Sequence, residues 1–151
     1  MSYSLSQNGF DFLKEMEGIV LHPYRDKAGV PTIGIGTTFY EDGSPVTMDD
    51  DPITLDRAFQ LVQYYFDKII SPTLEDRVTV DLNQNQVDAL CSFIYNEGKG
   101  GFVGSHLLQA INNDSGEDAI RAEFGKWIYV NHQVDDWQVK RRKKEADLYF
   151  S

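Results

Sequence analysis

Glu17, Asp26 and Thr32 are the residues whose types and spacing could do chemistry. They fall in the stretch Glu17-Gly18-Ile19-Val20-Leu21-His22-Pro23-Tyr24-Arg25-Asp26-Lys27-Ala28-Gly29-Val30-Pro31-Thr32-Ile33-Gly34-Ile35-Gly36-Thr37. A proton donor, a second carboxylate and a water-positioning hydroxyl are the set that hydrolysis of a glycosidic bond requires. At the end of a first helix, Glu17 would face the partial negative charge of unpaired carbonyls and be desolvated by Ile19, Val20 and Leu21. Both effects favour the protonated form that a general acid needs. Asp26, in a polar turn beside Arg25 and Lys27, would stay ionised, and Thr32 would orient a water. Carboxyls roughly 6.5–9.5 Å apart leave room for that water and invert the anomeric centre, whereas about 5 Å implies a covalent, retaining route. Singly, each residue also has an ordinary reading: a solvated helix-ending Glu, a turn-forming Asp, a strand Thr.

The elements that must position them follow from periodicity. Ser6 can cap a first helix running to about Glu17, with Phe10, Leu13 and Met16 or Glu17 on one face and Gly18 as its stop. Turn residues between short branched runs, as far as about Val46, predict a small antiparallel sheet. After Thr54, the stripe Leu55, Ala58, Phe59, Val62, Tyr65, Phe66, Ile69 and Ile70 predicts a helix ended by Ser71-Pro72. Val87, Leu90, Cys91 and Ile94 mark a central buried helix stopping near Gly98. Helices are predicted again over 105–112, 117–129 and about 135–150. The fold class is therefore α+β: a small β-containing lobe over about 14–50, and a helical lobe formed by the first helix and about 54–151. Together they make one domain over 1–151, with a cleft between the lobes where a polymer would lie.

At 151 residues, with 41% hydrophobic and 13% aromatic residues, the chain can bury a core and is not a disordered tail. A net charge of −10 argues against nucleic acid as a partner. Five of the fourteen basic residues form the run Lys140-Arg141-Arg142-Lys143-Lys144, which reads as the solvated face of a last helix, or as a landing patch for an anionic polymer. Nothing resembles a signal peptide, a signal anchor or a membrane span, so the expected location is a reducing cytoplasm, with no stable membrane association. Cys91 is expected to be a buried thiol. His22, His106, His132 and Cys91 show no metal-ligand spacing and no phosphate loop is present, so neither metal nor cofactor is expected. Gly34 and Gly36 read as room for a sugar to approach the backbone.

The segment 17–37 resembles the phage-type lysozymes, glycoside hydrolase family 24, whose pattern is Glu, eight residues, Asp or Cys, five residues, Thr. Glu17, Asp26 and Thr32 match that spacing without insertion, as do the surrounding Tyr24-Arg25-Asp26 and Thr32-Ile33-Gly34-Ile35-Gly36. Gln86 to Leu90, Phe93 to Gly98, Gly101 to Ser105, Trp127, and Lys140 to Glu145 with Leu148-Tyr149 continue the likeness over nearly the whole chain. Trp137-Gln138 departs from it, standing where many relatives carry Gly-Leu. The resemblance implies a lysozyme-like fold and a muramidase that cuts the β-1,4 bond between N-acetylmuramic acid and N-acetylglucosamine in the peptidoglycan glycan strand. Glu17 would be its acid, Asp26 and Thr32 would hold the water, and Tyr95, Asn96 and Ser105 would be cleft-lining groups. It also implies an endolysin, monomeric, held in the host cytoplasm until a holin releases it toward the periplasm and wall.

Two other readings stay open. A lytic transglycosylase needs one acid and leaves anhydro ends, and a non-catalytic peptidoglycan-binding module leaves no fragments. The same catalytic unit would also serve a virion-associated or secreted antibacterial hydrolase.

Overall fold

The computed structural model describes residues 2–151. Helix α1, Gln7–Glu17, starts where the Ser6 hydroxyl accepts from the Gly9 amide at 3.0 Å. It ends at Gly18, whose φ of 74° favours glycine and whose amide closes on Lys14. Ser6 also donates to the buried Asp88, and a Cβ at Gly9 would stand 2.5 Å from the same carboxylate. That close approach docks α1 on the central helix and fixes where Glu17 emerges.

Strands β1, Val20–Arg25, and β2, Pro31–Gly34, form an antiparallel hairpin with Tyr24 opposite Thr32 and Arg25 opposite Pro31. The register slips between Val20 and Tyr24. Beyond β2 the expected sheet dwindles to isolated bridges, Ile33 with Thr37 and Phe39 with Pro45. Positive φ at Gly34 and Gly36 turns the chain sharply there.

Helix α2, Leu55–Tyr65, is capped by Thr54 and does not end where the sequence predicts. It widens into a π-helical turn over Phe66–Ile70 and continues directly as α3, Ser71–Arg77. Ser71 N–H reaches back five residues to the Phe66 carbonyl, which leaves Pro72 in the first turn of α3, where a missing amide costs little. Helix α4, Gln84–Val103, opens with a capping box between Asn83 and Gln86 and is broken, as expected, at Gly98 (φ 85°, ψ 160°). Unlike the prediction, helical turns resume beyond that break.

After α5, His106–Asn112, helix α6 covers only Glu117–Phe124 and stops at Gly125, short of the predicted Tyr129. A turn over 125–128 takes up the difference and leads into a second hairpin, β3 Tyr129–Val130 and β4 Gln133–Val134. Asn131 and His132 both take positive φ at its tip, the backbone a two-residue hairpin turn requires. Helix α7, Asp136–Tyr149, is capped by Asp135.

The core gathers Leu13, Ile35, Ala58, Phe66, Leu90 and Phe102, each no more than 1% exposed, around α4. Phe93 meets Phe102, Phe124 and Trp127 edge-on, which ties α4 to α6 and the segment after it. Cys91 lies in this core as expected, and burial pushes its thiol up. Both chain ends converge on the start of α4: Gln84 donates to the Ser4 carbonyl at 2.8 Å, and Asn85 to the Ser151 hydroxyl at 3.0 Å.

Candidate active site

Glu17 is the last residue of α1, and its carboxylate is mostly enclosed, with the side chain 18% exposed. Against it lies Gly36, where a Cβ would stand 2.6 Å from Glu17 Oε1 and 3.3 Å from the Tyr95 ring. A glycine is required there twice over, by that contact and by φ +70°. This corrects the expectation of glycines kept clear for a sugar. The space at Gly36 is taken by the acid, and that at Gly34 by Ala58 and Ile53 of the α2 region.

The larger correction concerns the basic run. Arg141 and Arg142 are 2% and 1% exposed, not solvated. Arg141 Nη1 pairs with Glu17 Oε2 at 2.5 Å, so the acid faces a countercharge where the sequence suggested an apolar surround. The same guanidinium meets Glu145 through Nε at 3.3 Å, and its Nη2 donates to the Ser92 carbonyl at 3.1 Å. Arg142 reaches Glu97 at 2.7 Å and Asn96 Oδ1 at 2.8 Å, and stacks over Phe93. Arg141 is thus a site residue that sequence reasoning missed. The available signal was Glu145, placed three and four residues after the two arginines, where helical neighbours pair.

Asp26 sits at the exposed tip of the first hairpin. One oxygen, Oδ1, accepts from the Ala28 and Val30 amides at 2.9 Å each, which fixes the carboxylate and leaves Oδ2 outside these bonds. Thr32, 2% exposed, donates its hydroxyl proton to the Val30 carbonyl at 2.8 Å, so the oxygen lone pairs remain as acceptors. Burial, then the charges of Glu17 and Asp26, push the Tyr24 phenol up.

Tyr95 donates to the Ile35 carbonyl, and burial pushes its phenol up. Together with Gly36 it also walls a groove of about 300 Å³, whose other sides include Phe39, Tyr40, Tyr64 and Tyr65. Asn96 is half-buried and spends its Oδ1 on Arg142. Ser105 stands apart: it caps α5 through the Leu108 amide, donates to the Phe102 carbonyl, and borders a separate hollow with His106 and Trp127. The structure therefore gathers Glu17, Tyr95, Gly36 and Arg141, sets Asp26 and Thr32 on the adjacent hairpin, and leaves Ser105 outside that cluster.

The family model described as Phage lysozyme matches residues 14–145. The chain belongs to the phage lysozyme family. Lysozymes are glycoside hydrolases, and the protein is one of that class. It is 37% identical to the endolysin of Salmonella phage P22, over 97% of this chain and 98% of that protein. The solved endolysin of Escherichia coli O157:H7 phage FAHEc1 superposes with a TM-score of 0.88 at 31% identity, over 99% of this chain and 94% of the other. The muramidase domain of SpmX from Asticaccaulis excentricus superposes at 0.78 with 27% identity, over 99% of both chains. Lysozyme-family membership thus bears out the α+β, lysozyme-like fold class read from the sequence.

Proposed function

We propose that residues 1–151 form one catalytic domain, a peptidoglycan muramidase that hydrolyses the β-1,4 bond between N-acetylmuramic acid and N-acetylglucosamine with inversion. The observation that carries this reading is Glu17 itself, mostly enclosed by Gly36, Tyr95 and Arg141, beside the aromatic groove that Gly36 and Tyr95 wall. Sugar rings present apolar faces that suit Tyr and Phe walls, and a glycan strand lying along Tyr64, Tyr40 and Tyr95 delivers its glycosidic oxygen to the acid.

Protonated Glu17 gives its proton to the leaving oxygen as the C1–O bond breaks. A water held by Asp26 Oδ2 and the Thr32 lone pairs adds to C1 from the opposite face, and its proton passes to Asp26. Glu17 is left as a carboxylate beside Arg141, so the pair stabilises the state that proton transfer creates. Exchange with solvent returns both acids to their starting forms. Tyr95 supplies groove wall and Asn96 its amide N–H groups to the saccharide, while Ser105, its hydroxyl spent on the Phe102 carbonyl and the Leu108 amide, holds the start of α5 instead.

In this reading the protein acts as a monomeric phage endolysin, made in the host cytoplasm and passed to the wall through a holin. The named endolysin relatives support that role.

Glu17→Gln keeps the shape of the acid and removes its transferable proton. Mass spectrometry of fragments from purified peptidoglycan should show reducing muropeptides with the wild type and none with the variant, whose folding and saccharide binding persist. Reducing ends from both proteins would remove Glu17 from the mechanism, and anhydro ends would assign a transglycosylase. NMR of the fresh reducing anomer reads inversion directly.

A further inference from the structure

Glu145 has no part in the reaction just described, yet it is fully enclosed, at 0% exposure. Its Oε1 lies 2.8 Å from Arg142 Nε. Its Oε2 lies 3.3 Å from Arg141 Nε and 3.2 Å from Arg142 Nη2, and accepts from the Ser92 hydroxyl. A buried carboxylate survives only when paired and hydrogen-bonded, and here two guanidiniums and a hydroxyl supply both. Burial pushes its carboxyl up, and the two arginines oppose that push.

Arg141 is divided between the two acids, with Nη1 on Glu17 and Nε on Glu145, while Ser92 fixes the rest of its fork. We infer that Glu145 is a positioning residue for the acid: it orients Arg141 and absorbs part of its charge, and so sets how firmly Glu17 holds its proton. This rests on the reading of Glu17 as general acid. The other groups facing these carboxylates are Tyr24 from β1 and Tyr95 from α4 at Glu17, and Ser92 and Cys91 from α4 at Glu145. Burial pushes the thiol and both phenols up, so they stay neutral through the working range.

Glu145→Gln keeps the side-chain shape and removes the charge. The full positive charge of Arg141 then falls on Glu17 and favours its carboxylate, so the proton leaves at lower pH. Carbon-13 NMR of labelled glutamate carboxyls should show the Glu17 titration moved down by about one pH unit relative to wild type. In reducing-end assays, the alkaline limb of kcat should move with it and kcat should fall roughly tenfold near neutral pH, with KM nearly constant. Glu145→Asp, which restores the charge, should lie between the two. A folded Glu145→Gln with an unmoved Glu17 titration overturns the inference, whatever its turnover. Should Glu145→Gln fail to fold, Glu145→Asp decides by the same titration, displaced downward or coincident with wild type. No reducing ends from the wild type would defeat the catalytic reading and this inference with it. An active wild type with an unmoved titration in the variant defeats the inference alone.

Discussion

At Gly36 the backbone and the acid contend for one position. A methyl group there would sit 2.6 Å from Glu17 Oε1, on a backbone at φ +70°. Gly36→Ala should therefore lose about 1–2 kcal/mol from the left-handed conformation alone, and more from displacing the carboxylate. Thermal unfolding measures the first, and release of reducing ends the second, which should fall at least tenfold because catalytic groups tolerate little misplacement. The triplet Glu17, Asp26 and Thr32 could be proposed from the sequence because its members share one stretch of chain, where spacing can suggest a shared role. Arg141 was not, since it lies 124 residues from Glu17 and only the packing of both α1 and α7 on α4 brings them together. A run of five cations reads as a solvated face unless its carboxylate partners are already known.

Among the elements, α4 carries the contrast to Gly36. Gly98 has φ 85° and ψ 160°, a region that side chains avoid, yet nothing stands within 4 Å of a Cβ placed on it. Gly98→Ala should cost about 1–3 kcal/mol of stability through the backbone alone. Denaturant unfolding should register that loss while kcat stays near wild type. Several helix starts were legible, because Ser6, Thr54, Ser105 and Asp135 each cap the helix that follows. Helix ends were less so. Ser71-Pro72 reads as a stop, but a π-helical turn ahead of it absorbs the proline. The hairpin after α6 is concealed by an apolar run, Trp127 to Val130, that fits a helix or a strand, and the signal for the turn is only Asn131-His132 in left-handed backbone.

For the molecule as a whole, the phenols set an alkaline limit. Burial pushes Tyr149 up to about 12, and burial with the hydrogen bond to Asp50 does the same for Tyr40. Unfolded tyrosine loses its proton near pH 10. Above that value the unfolded chain binds fewer protons than the fold, so stability is complete below about pH 10 and declines until the native phenols ionise near pH 12. Melting temperatures across that window should fall, with the enclosed Tyr149 accounting for a loss of order 2 kcal/mol. Tyr149→Phe should flatten the decline. The converging ends have a different consequence. With Ser4 and Ser151 both bound at the first turn of α4, the path of the backbone nearly closes into a ring. A linker of about five residues spans such a gap, and the order in which the elements are synthesised becomes separable from the way they pack. A circular permutant joined there and reopened at the exposed hairpin tip Asn131-His132 should refold to the same cleft, because that tip lines no part of the groove. Reducing-end release at wild-type rates by that permutant would show that chain order is incidental to the site.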